Sequence, residues 1–177
     1  LPFTFPAKLE HVGAHKLNSY PGVKRENSSI IDERYNESIY VGYRWMEKEH
    51  IKPRCLLFGH GLSYTTFKYG KPSISTTQMT TSDTLTITIP ITNIGKREGA
   101  EVVQLYIADK KSSLPRPIKE LKGFQKVQLA PGETQYVSFI VDQNSLSYFN
   151  DTLHKWIAEA GEFEAIIGSS SEEIKPE

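Results

Sequence analysis

From Pro72 onward, apolar and polar residues alternate along the chain. The clearest case is the segment from Leu85 to Thr92, which has leucine or isoleucine at every second position and mostly threonine between them. A period of two places successive side chains on opposite faces of a β-strand, and threonine is typical of a sheet face that is half exposed. The same alternation recurs in residues 103–107, 137–141 and 163–167. This half of the chain is therefore predicted to consist of strands with one buried face each.

Residues that favour turns lie between these segments, at positions 93–95, 130–133 and 160–161. Pro131 and Gly132 match the second and third positions of a type II turn, whose third residue has a positive φ. No amphipathic helix of three turns is seen in this half of the sequence. Several short strands at this spacing predict a β-sandwich.

Pro90 interrupts the threonine face in the middle of one predicted strand. Proline has no N–H group to donate to a neighbouring strand, so within sheets it is found at edges and at bulges. We therefore predict that this strand is an edge strand or has a bulge at position 90. We also predict that no hydrogen bond between strands is lost there.

The first 69 residues have a different pattern. Residues 1–35 are rich in turns, one strand is predicted from Ser38 to Trp45, and two glycines bracket His60 in a second turn. A structureless stretch of this length is unusual inside a compact domain, and large aromatic residues need a partner to bury against. We expect this region to cover the surface of a body outside these 177 residues. The aromatic residues concerned are Tyr40, Tyr43, Trp45, Phe58, Tyr64 and Phe67.

The composition argues against several classes of function. Lys and Arg number 21, as do Asp and Glu, so the zero net charge does not indicate a nucleic-acid partner or an anionic membrane surface. No apolar run approaches the roughly 20 residues of a spanning helix. Cys55 is the sole cysteine, so the sequence predicts neither an internal disulfide nor a cysteine-based zinc site, and no glycine-rich phosphate loop predicts a cofactor. Residues 1–6 lack the features of a signal peptide, and we expect the chain to be a piece of a longer protein.

Several motifs in order resemble a known family. Tyr-Val-Gly-Tyr-Arg at 40–44, followed by Phe-Gly-His-Gly-Leu-Ser-Tyr-Thr-Thr-Phe at 58–67, resembles the junction before the C-terminal fibronectin type III-like domain of glycoside hydrolase family 3 enzymes. Leu-Pro-Phe-Thr-Phe-Pro at 1–6, Gly-Ala-Glu-Val-Val-Gln-Leu-Tyr at 99–106 and Arg-Pro-Ile-Lys-Glu-Leu-Lys-Gly-Phe at 116–124 are similar to further motifs of that family. One departure is the segment 53–58, where the family usually has Pro-Leu-Phe-Pro-Phe.

The resemblance implies a mainly β chain with two parts. Residues 68–177 would form a fibronectin type III or immunoglobulin-like β-sandwich, and residues 1–67 would be the terminal strand and wrap segment of an α/β sandwich domain. The partners would be the catalytic barrel and sandwich domains of the parent enzyme, and the location periplasmic or secreted. The candidate residues for docking onto those domains are Tyr43, Trp45, Phe58, Gly59, His60, Gly61 and Tyr64.

Members of this family hydrolyse β-glycosidic bonds with retention, as β-glucosidases or β-xylosidases. Their nucleophilic aspartate lies in an N-terminal barrel and their acid/base glutamate usually in the sandwich domain. Because no position of this chain matches the nucleophile motif, the resemblance transfers no catalytic residue. The implied role is therefore non-catalytic, as a part that stabilises and docks onto the catalytic domains.

The residues themselves give little sign of chemistry. Retaining cleavage needs two carboxylates about 5 Å apart, one of them with a raised pKa, and we interpret the acid pairs 47/49, 98/101, 162/164 and 172/173 as solvated surface groups. Ser63 and His60 could form a nucleophilic pair with an acid, but a structural glycine turn is favoured. His11 and His15 have i,i+4 spacing, yet Gly13 between them makes a metal-binding helical face a weak hypothesis.

Two alternative functions stay open. One is a free-standing immunoglobulin-like module that binds oligosaccharide, polysaccharide or another partner through a row of coplanar exposed aromatics on one sheet face. The other is a small intact enzyme with an unrecognised site. Three Asn-x-Ser/Thr triplets, at Asn27, Asn36 and Asn150, would allow glycosylation in a eukaryotic secretory host. The aromatic candidates are Trp45, Tyr64, Tyr106, Tyr148 and Trp156, with packing as the default for each and a core or rim position expected for Trp156.

Overall fold

A computed structural model describes residues 1–52 and 57–172. The chain divides into two compact units, which are described separately. We call the unit formed by residues 1–60 and 116–118 the wrap region. The unit that runs from Gly61 to Pro115 and again from Lys119 onward is called the sandwich region.

The wrap region contains short elements only. A 3-10 helix spans Leu9–His11, and the helices α1 and α2 span Gly13–Lys16 and Tyr43–Lys48. The strands β1 (Val23–Lys24) and β2 (Ile31–Asp32) form an antiparallel hairpin. Arg25 and Asp32 close this hairpin with two hydrogen bonds between their side chains, Nε–Oδ2 at 3.0 Å and Nη2–Oδ1 at 2.5 Å.

The predicted strand from Ser38 to Trp45 is wrong, because a helix, α2, begins at Tyr43. Gly42, which immediately precedes the helix, has a φ of +63°, so the extended path ends there. The residues that follow are mostly good helix formers. Trp45 and Met46 are both buried, whereas a strand would place adjacent side chains on opposite faces. The alternation before Gly42 did not reflect burial, since Ile39 and Val41 are exposed.

The sandwich region is made of β-strands, as the alternation predicted. One sheet has β5 at its centre, with β8 along one side and both β3 and β4 along the other; the second sheet has the order β11-β6-β7, and β9 pairs with β10 in a separate hairpin. All pairs are antiparallel. The strands are β3 (Phe67–Tyr69), β4 (Ser73–Ile74), β5 (Leu85–Asn93), β6 (Gly99–Asp109), β7 (Glu120–Leu129), β8 (Thr134–Val141), β9 (Tyr148–Asn150), β10 (Lys155–Ile157) and β11 (Phe163–Gly168).

The core lies between the inner faces of these two sheets. Its twelve buried apolar side chains come from β5, β6, β7, β8 and β11. They include most of the predicted inward residues, but Leu85 and Phe163 are only partly buried and Ala165 is exposed. On the outer face, hydroxyl pairs join neighbouring strands, with 2.8 Å between the Oγ atoms of Thr88 and Ser138 and 2.7 Å between those of Thr92 and Thr134. The predicted β-sandwich is therefore confirmed. The core residues are Ile87, Ile89, Ile91, Val103, Leu105, Ile107, Val127, Leu129, Val137, Phe139, Val141 and Ile167.

Pro90 lies at an interruption on one side of β5. The strand is internal rather than an edge, because β8 pairs along one side, with Tyr136 opposite Pro90. On the other side, the partner changes from β3 to β4 at residues 70–72. Gly70 donates its N–H to the Pro90 carbonyl at 2.9 Å. The nitrogen of Pro90 points to this same side, so the missing N–H coincides with a gap in the pairing.

The remaining elements are short and locally determined. Gly132 has a φ of +77°, and Glu133 donates its N–H to Ala130 O at 3.0 Å, so the predicted type II turn is confirmed. The helix α3 (Gln143–Leu146) begins after Asp142, whose carboxylate accepts a hydrogen bond from the Ser145 N–H at 2.9 Å. This capping box supplies the acceptor that the first turn of a helix needs.

Candidate docking surface

The two ends of the wrap region lie against each other. The Thr4 hydroxyl accepts a hydrogen bond from the Phe58 N–H at 3.0 Å, and the Leu1 carbonyl accepts one from the Gly59 N–H at 2.8 Å. The amino group of Leu1 in turn donates to the His60 carbonyl at 2.6 Å. Three of the predicted docking residues, Phe58, Gly59 and His60, are therefore held in place by the N-terminal segment. Gly59 has a φ of +85°, which favours glycine at this turn.

Phe58 also makes an aromatic contact with α2. The rings of Tyr43 and Phe58 are stacked with their centroids 5.2 Å apart. Phe3 and Phe5 also contact each other, with centroids 4.5 Å apart, and both rings are partly exposed. Aromatic pairs of this kind stabilise a local conformation by more than their buried area alone.

Trp45 is not part of an accessible surface, since only 3% of it is exposed. Its indole N–H donates to the His11 carbonyl at 3.1 Å. Its ring lies directly on Gly13, where a Cβ atom would be 2.8 Å from Trp45 Cδ2. The ammonium groups of Lys16 and Lys48 lie 5.8 and 5.7 Å from its ring centroid. Trp45 therefore packs α2 against α1 in the interior of the wrap region.

Most large apolar side chains of the wrap region are exposed. Tyr35 is 82% exposed, and eleven others are at least two-fifths exposed. By contrast, only six described residues of this region are buried, and Trp45 and Met46 are the only large apolar ones. A surface of this kind is typical of a site that another protein surface covers. The twelve exposed residues are Leu1, Phe3, Phe5, Leu9, Tyr20, Val23, Ile30, Ile31, Tyr35, Ile39, Val41 and Ile118.

Gly61 and Tyr64, the other predicted docking residues, belong to the sandwich region. Tyr64 is 92% exposed, and a Cβ atom at Gly61 would meet nothing within 4 Å. Ser63, the candidate nucleophile, uses its hydroxyl to accept a hydrogen bond from the Thr65 N–H at 3.3 Å. That contact stabilises a turn and gives Ser63 a structural role.

Several carboxyl groups have lowered pKa values or make surface contacts, as expected for structural roles. The Lys16 ammonium, which donates a hydrogen bond to Glu49, holds the pKa of that carboxyl below its usual value. Hydrogen bonds from Ser145 lower the pKa of Asp142, and bonds from Thr80 lower that of Asp83. A general acid for glycoside cleavage needs the opposite shift. Glu98 accepts from Gln128 and Glu164 pairs with Lys110, so these members of the acid pairs also make surface contacts.

Within residues 1–52 and 57–172, no group of three or more His, Cys, Asp and Glu side chains could hold a metal ion. The His11 and His15 side chains lie on different short helices, and the His11 carbonyl is occupied by Trp45. Over the same residues, no helix has the length and apolar character needed to cross a membrane. Cys55 and the departure from the family pattern at 53–56 lie outside the described residues, as does Glu173.

The aromatic candidates for sugar binding fall into two groups. Trp45, Tyr106 and Tyr148 are buried. Trp156 is 66% exposed on the β9–β10 hairpin, so of the two expected positions, core or rim, the core position is excluded. Its ring meets Phe149 edge-on, at 70° and 5.8 Å between centroids, which does not make a flat platform.

Comparison with known proteins relates this architecture to a family. A fibronectin type III-like domain model matches residues 101–171. The chain is 44% identical over 177 residues to β-glucosidase BoGH3A of Bacteroides ovatus and 42% identical over 171 residues to thermostable β-glucosidase B of Acetivibrio thermocellus. These matches cover 99% and 97% of this chain. The chain matches the C-terminal region of glycoside hydrolase family 3 β-glucosidases.

A solved family 3 structure supports the same relation. β-Glucosidase 3B from Thermotoga neapolitana superimposes with a TM-score of 0.84 at 37% identity, over 99% of this chain. The chain spans less than a quarter of these relatives: 23% and 22% of the two β-glucosidases, and 23% of the solved chain. The family 3 resemblance of the motifs is therefore confirmed, and the chain corresponds to one part of larger enzymes.

Two buried polar groups make hydrogen bonds that the sequence reasoning did not predict. Asn93 is fully buried in the sandwich region, and its amide donates to the Arg97 and Leu129 carbonyls at 2.7 and 2.9 Å while its oxygen accepts from Thr65 and Gly95. Tyr106 is also fully buried and donates to Gln104 at 2.5 Å. The Asn93-Ile94-Gly95 motif indicated a turn, but nothing in it indicated that the asparagine connects three segments.

Proposed function

We propose that this chain is the non-catalytic C-terminal part of a family 3 β-glycosidase and that it docks onto the catalytic domains of that enzyme. Residues 1–67 would complete and wrap an α/β sandwich domain, and residues 68–177 would form the bracing fibronectin type III-like domain. The observation that carries the proposal is the wrap region, with twelve large apolar side chains exposed and little core of its own. The relatives named above are all β-glucosidases, which supports hydrolysis of β-glucosidic bonds by the parent enzyme.

Unsatisfied polar atoms support the same proposal. In the wrap region, His11 Nδ1 and Glu37 Oε2 are buried without a hydrogen-bond partner. Buried polar atoms nearly always have partners in complete structures. A docked domain would supply such partners and would cover the apolar side chains around them.

The docking role of the individual residues follows from their placement. Tyr43, Phe58, Gly59 and His60 would shape the wrap surface, and Trp45 would support it from within. Gly61 and Tyr64 would contribute from the adjoining segment of the sandwich region. Polysaccharide binding by the β9–β10 aromatics is not proposed, because Phe149 and Trp156 are nearly perpendicular.

Hydrogen exchange on the full polypeptide and on the isolated 177-residue chain tests this proposal. We expect residues 1–60 to be protected in the full polypeptide and to exchange quickly in the isolated chain, because their apolar side chains have little core to join. Strands β5 to β8 should be protected in both samples. Strong protection of residues 1–60 in the isolated chain would contradict the proposal.

A matched pair of substitutions adds a functional readout. Tyr35→Lys should lower the thermal stability of the full enzyme because it places a charge in the covered surface. Ile140→Lys, on the exposed outer face of β8, is the control and should have little effect. Equal effects of the two changes would argue against docking through the wrap region.

A further inference from the structure

An open cleft lies at one end of the sandwich region, where β5 and β11 begin and where β6 and β8 end. The space within it is about 920 Å³. Small-molecule sites usually range from about 300 to 1,000 Å³. The helix α3, the connection at residues 77–83 and the segment 158–162 complete its walls.

The floor of the cleft is apolar. It is formed by side chains that continue the sandwich core outward, among them Leu85, Ile87, Ile107 and Phe163. Ala165 pairs with Ile107 across β11 and β6. Its small side chain remains exposed in the cleft, and a larger residue at this position would fill the space.

The charged residues that line the cleft are acidic. Among residues 1–52 and 57–172, its lining includes Asp83, Glu159 and Glu162 but no Lys, Arg or His. The Thr80 N–H and hydroxyl donate to Asp83 at 2.8 and 2.7 Å, which holds that carboxylate in place. Glu159 is fixed in a similar way by the Tyr148 hydroxyl, at 2.7 Å, and by the Ser113 N–H, at 3.0 Å.

We propose that this cleft binds a small amphipathic cation, with an apolar body against the floor and an ammonium group among the rim carboxylates. Burial of an alkyl chain on the apolar floor supplies the main driving force. The carboxylates then select the cation over an anion of the same length, since an anion would be repelled by every charged group of the lining. All of its lining residues belong to the sandwich region, so the proposal does not depend on docking through the wrap region.

The test is isothermal titration calorimetry on the full polypeptide with three eight-carbon probes: octylammonium, octanoate and octanol. We expect octylammonium to bind at one site and to weaken as salt concentration rises, because the rim charges are solvated. Octanoate should bind at least tenfold more weakly. No heat of binding for octylammonium, or equal affinity for octylammonium and octanoate, would overturn the proposal.

Substitutions locate the binding to the cleft. Glu162→Gln should weaken octylammonium binding by about threefold, as expected for one partly solvated ion pair. Glu164→Gln, two residues along and paired with Lys110 rather than lining the cleft, is the matched control and should leave the affinity unchanged. Ala165→Phe should abolish binding by filling the space. Unchanged affinity in Glu162→Gln, or an equal loss in both glutamate variants, would overturn the assignment even if Ala165→Phe fails to fold.

Discussion

The sandwich region encloses twelve apolar side chains between two sheets, whereas the wrap region leaves twelve large apolar side chains exposed. The sandwich region also has exposed apolar residues, but it is nearly twice as long and its strands share one continuous core. The difference shows two uses of apolar residues in one chain. In the sandwich region, buried apolar residues form the core of a domain. In the wrap region, exposed apolar residues form a surface that needs a partner.

The regions differ in hydrogen bonding as well. In the sandwich region, long strands satisfy their backbone groups through extended pairing, such as the register from Leu85 opposite Val141 to Thr92 opposite Thr134. The strands of the wrap region are two residues long, and its backbone bonds are mostly turn bonds. Stability is therefore expected to be concentrated in the sandwich region.

The largest expected effect is the loss of a core side chain. Leu105→Ala removes a side chain that is 1% exposed at the centre of β6 and should lower the free energy of unfolding of the isolated chain by about 3 kcal/mol. Val41→Ala, in the exposed part of the wrap region, should change it by less than about 0.5 kcal/mol. Chemical denaturation measures both. Similar losses would show that the two regions share one core and would break the comparison.

A smaller effect is expected where Gly13 packs against Trp45 in the wrap region. Gly13→Ala places a methyl group against the Trp45 ring and should destabilise the local packing by about 1–2 kcal/mol. Tryptophan emission, recorded in a Trp156→Phe background, should shift to longer wavelength as Trp45 becomes more exposed. Gly61→Ala is the matched control, because its methyl group would meet no atom within 4 Å. An unshifted spectrum for Gly13→Ala would mean that Trp45 does not depend on this contact.

The smallest effect is electrostatic and lies in the sandwich region. Asp142→Ala removes the cap of α3 and should lower the free energy of unfolding by about 1 kcal/mol at neutral pH. Hydrogen bonds from Ser145 lower the pKa of Asp142 in the folded protein, so its contribution is present above the unfolded pKa of about 3.9 and is lost as pH falls through the folded value. The difference between the two proteins should therefore shrink in acid. A difference independent of pH would show that the charge of the cap is unimportant.

Sequence reasoning succeeded where local pattern and tertiary burial agree. The alternation in β5, β6 and β8 predicted most of the inward side chains, and Pro131-Gly132 predicted its turn. In β11 the prediction was only partly right, because Ile167 joins the core while Ala165 is exposed. It failed at residues 38–45, where a short alternation preceded Gly42 and a helix. The alternation over these eight residues did not reflect burial, and the burial of Trp45 against Gly13 decided the outcome.

The candidate docking surface was predicted only in part. The sequence indicated which aromatic residues lacked a local partner, but Trp45 packs against Gly13 of α1 and Phe58 stacks on Tyr43. The hydrogen bonds of Thr4 and Leu1 to residues 58–60 join segments that are far apart along the chain. No local pattern could indicate that pairing, because it depends on where the intervening chain returns.

The sequence by itself determined the strands β5, β6, β8 and β11, most of their inward side chains and the family to which the motifs point, because side-chain alternation and turn chemistry act within a few residues. Only the tertiary structure decided that Pro90 lies beside a break in pairing, that Asn93 joins three segments and that α2 replaces a strand. Each of these depends on a neighbour distant in sequence. Burial and hydrogen bonding by such neighbours override local preference wherever that preference is weak.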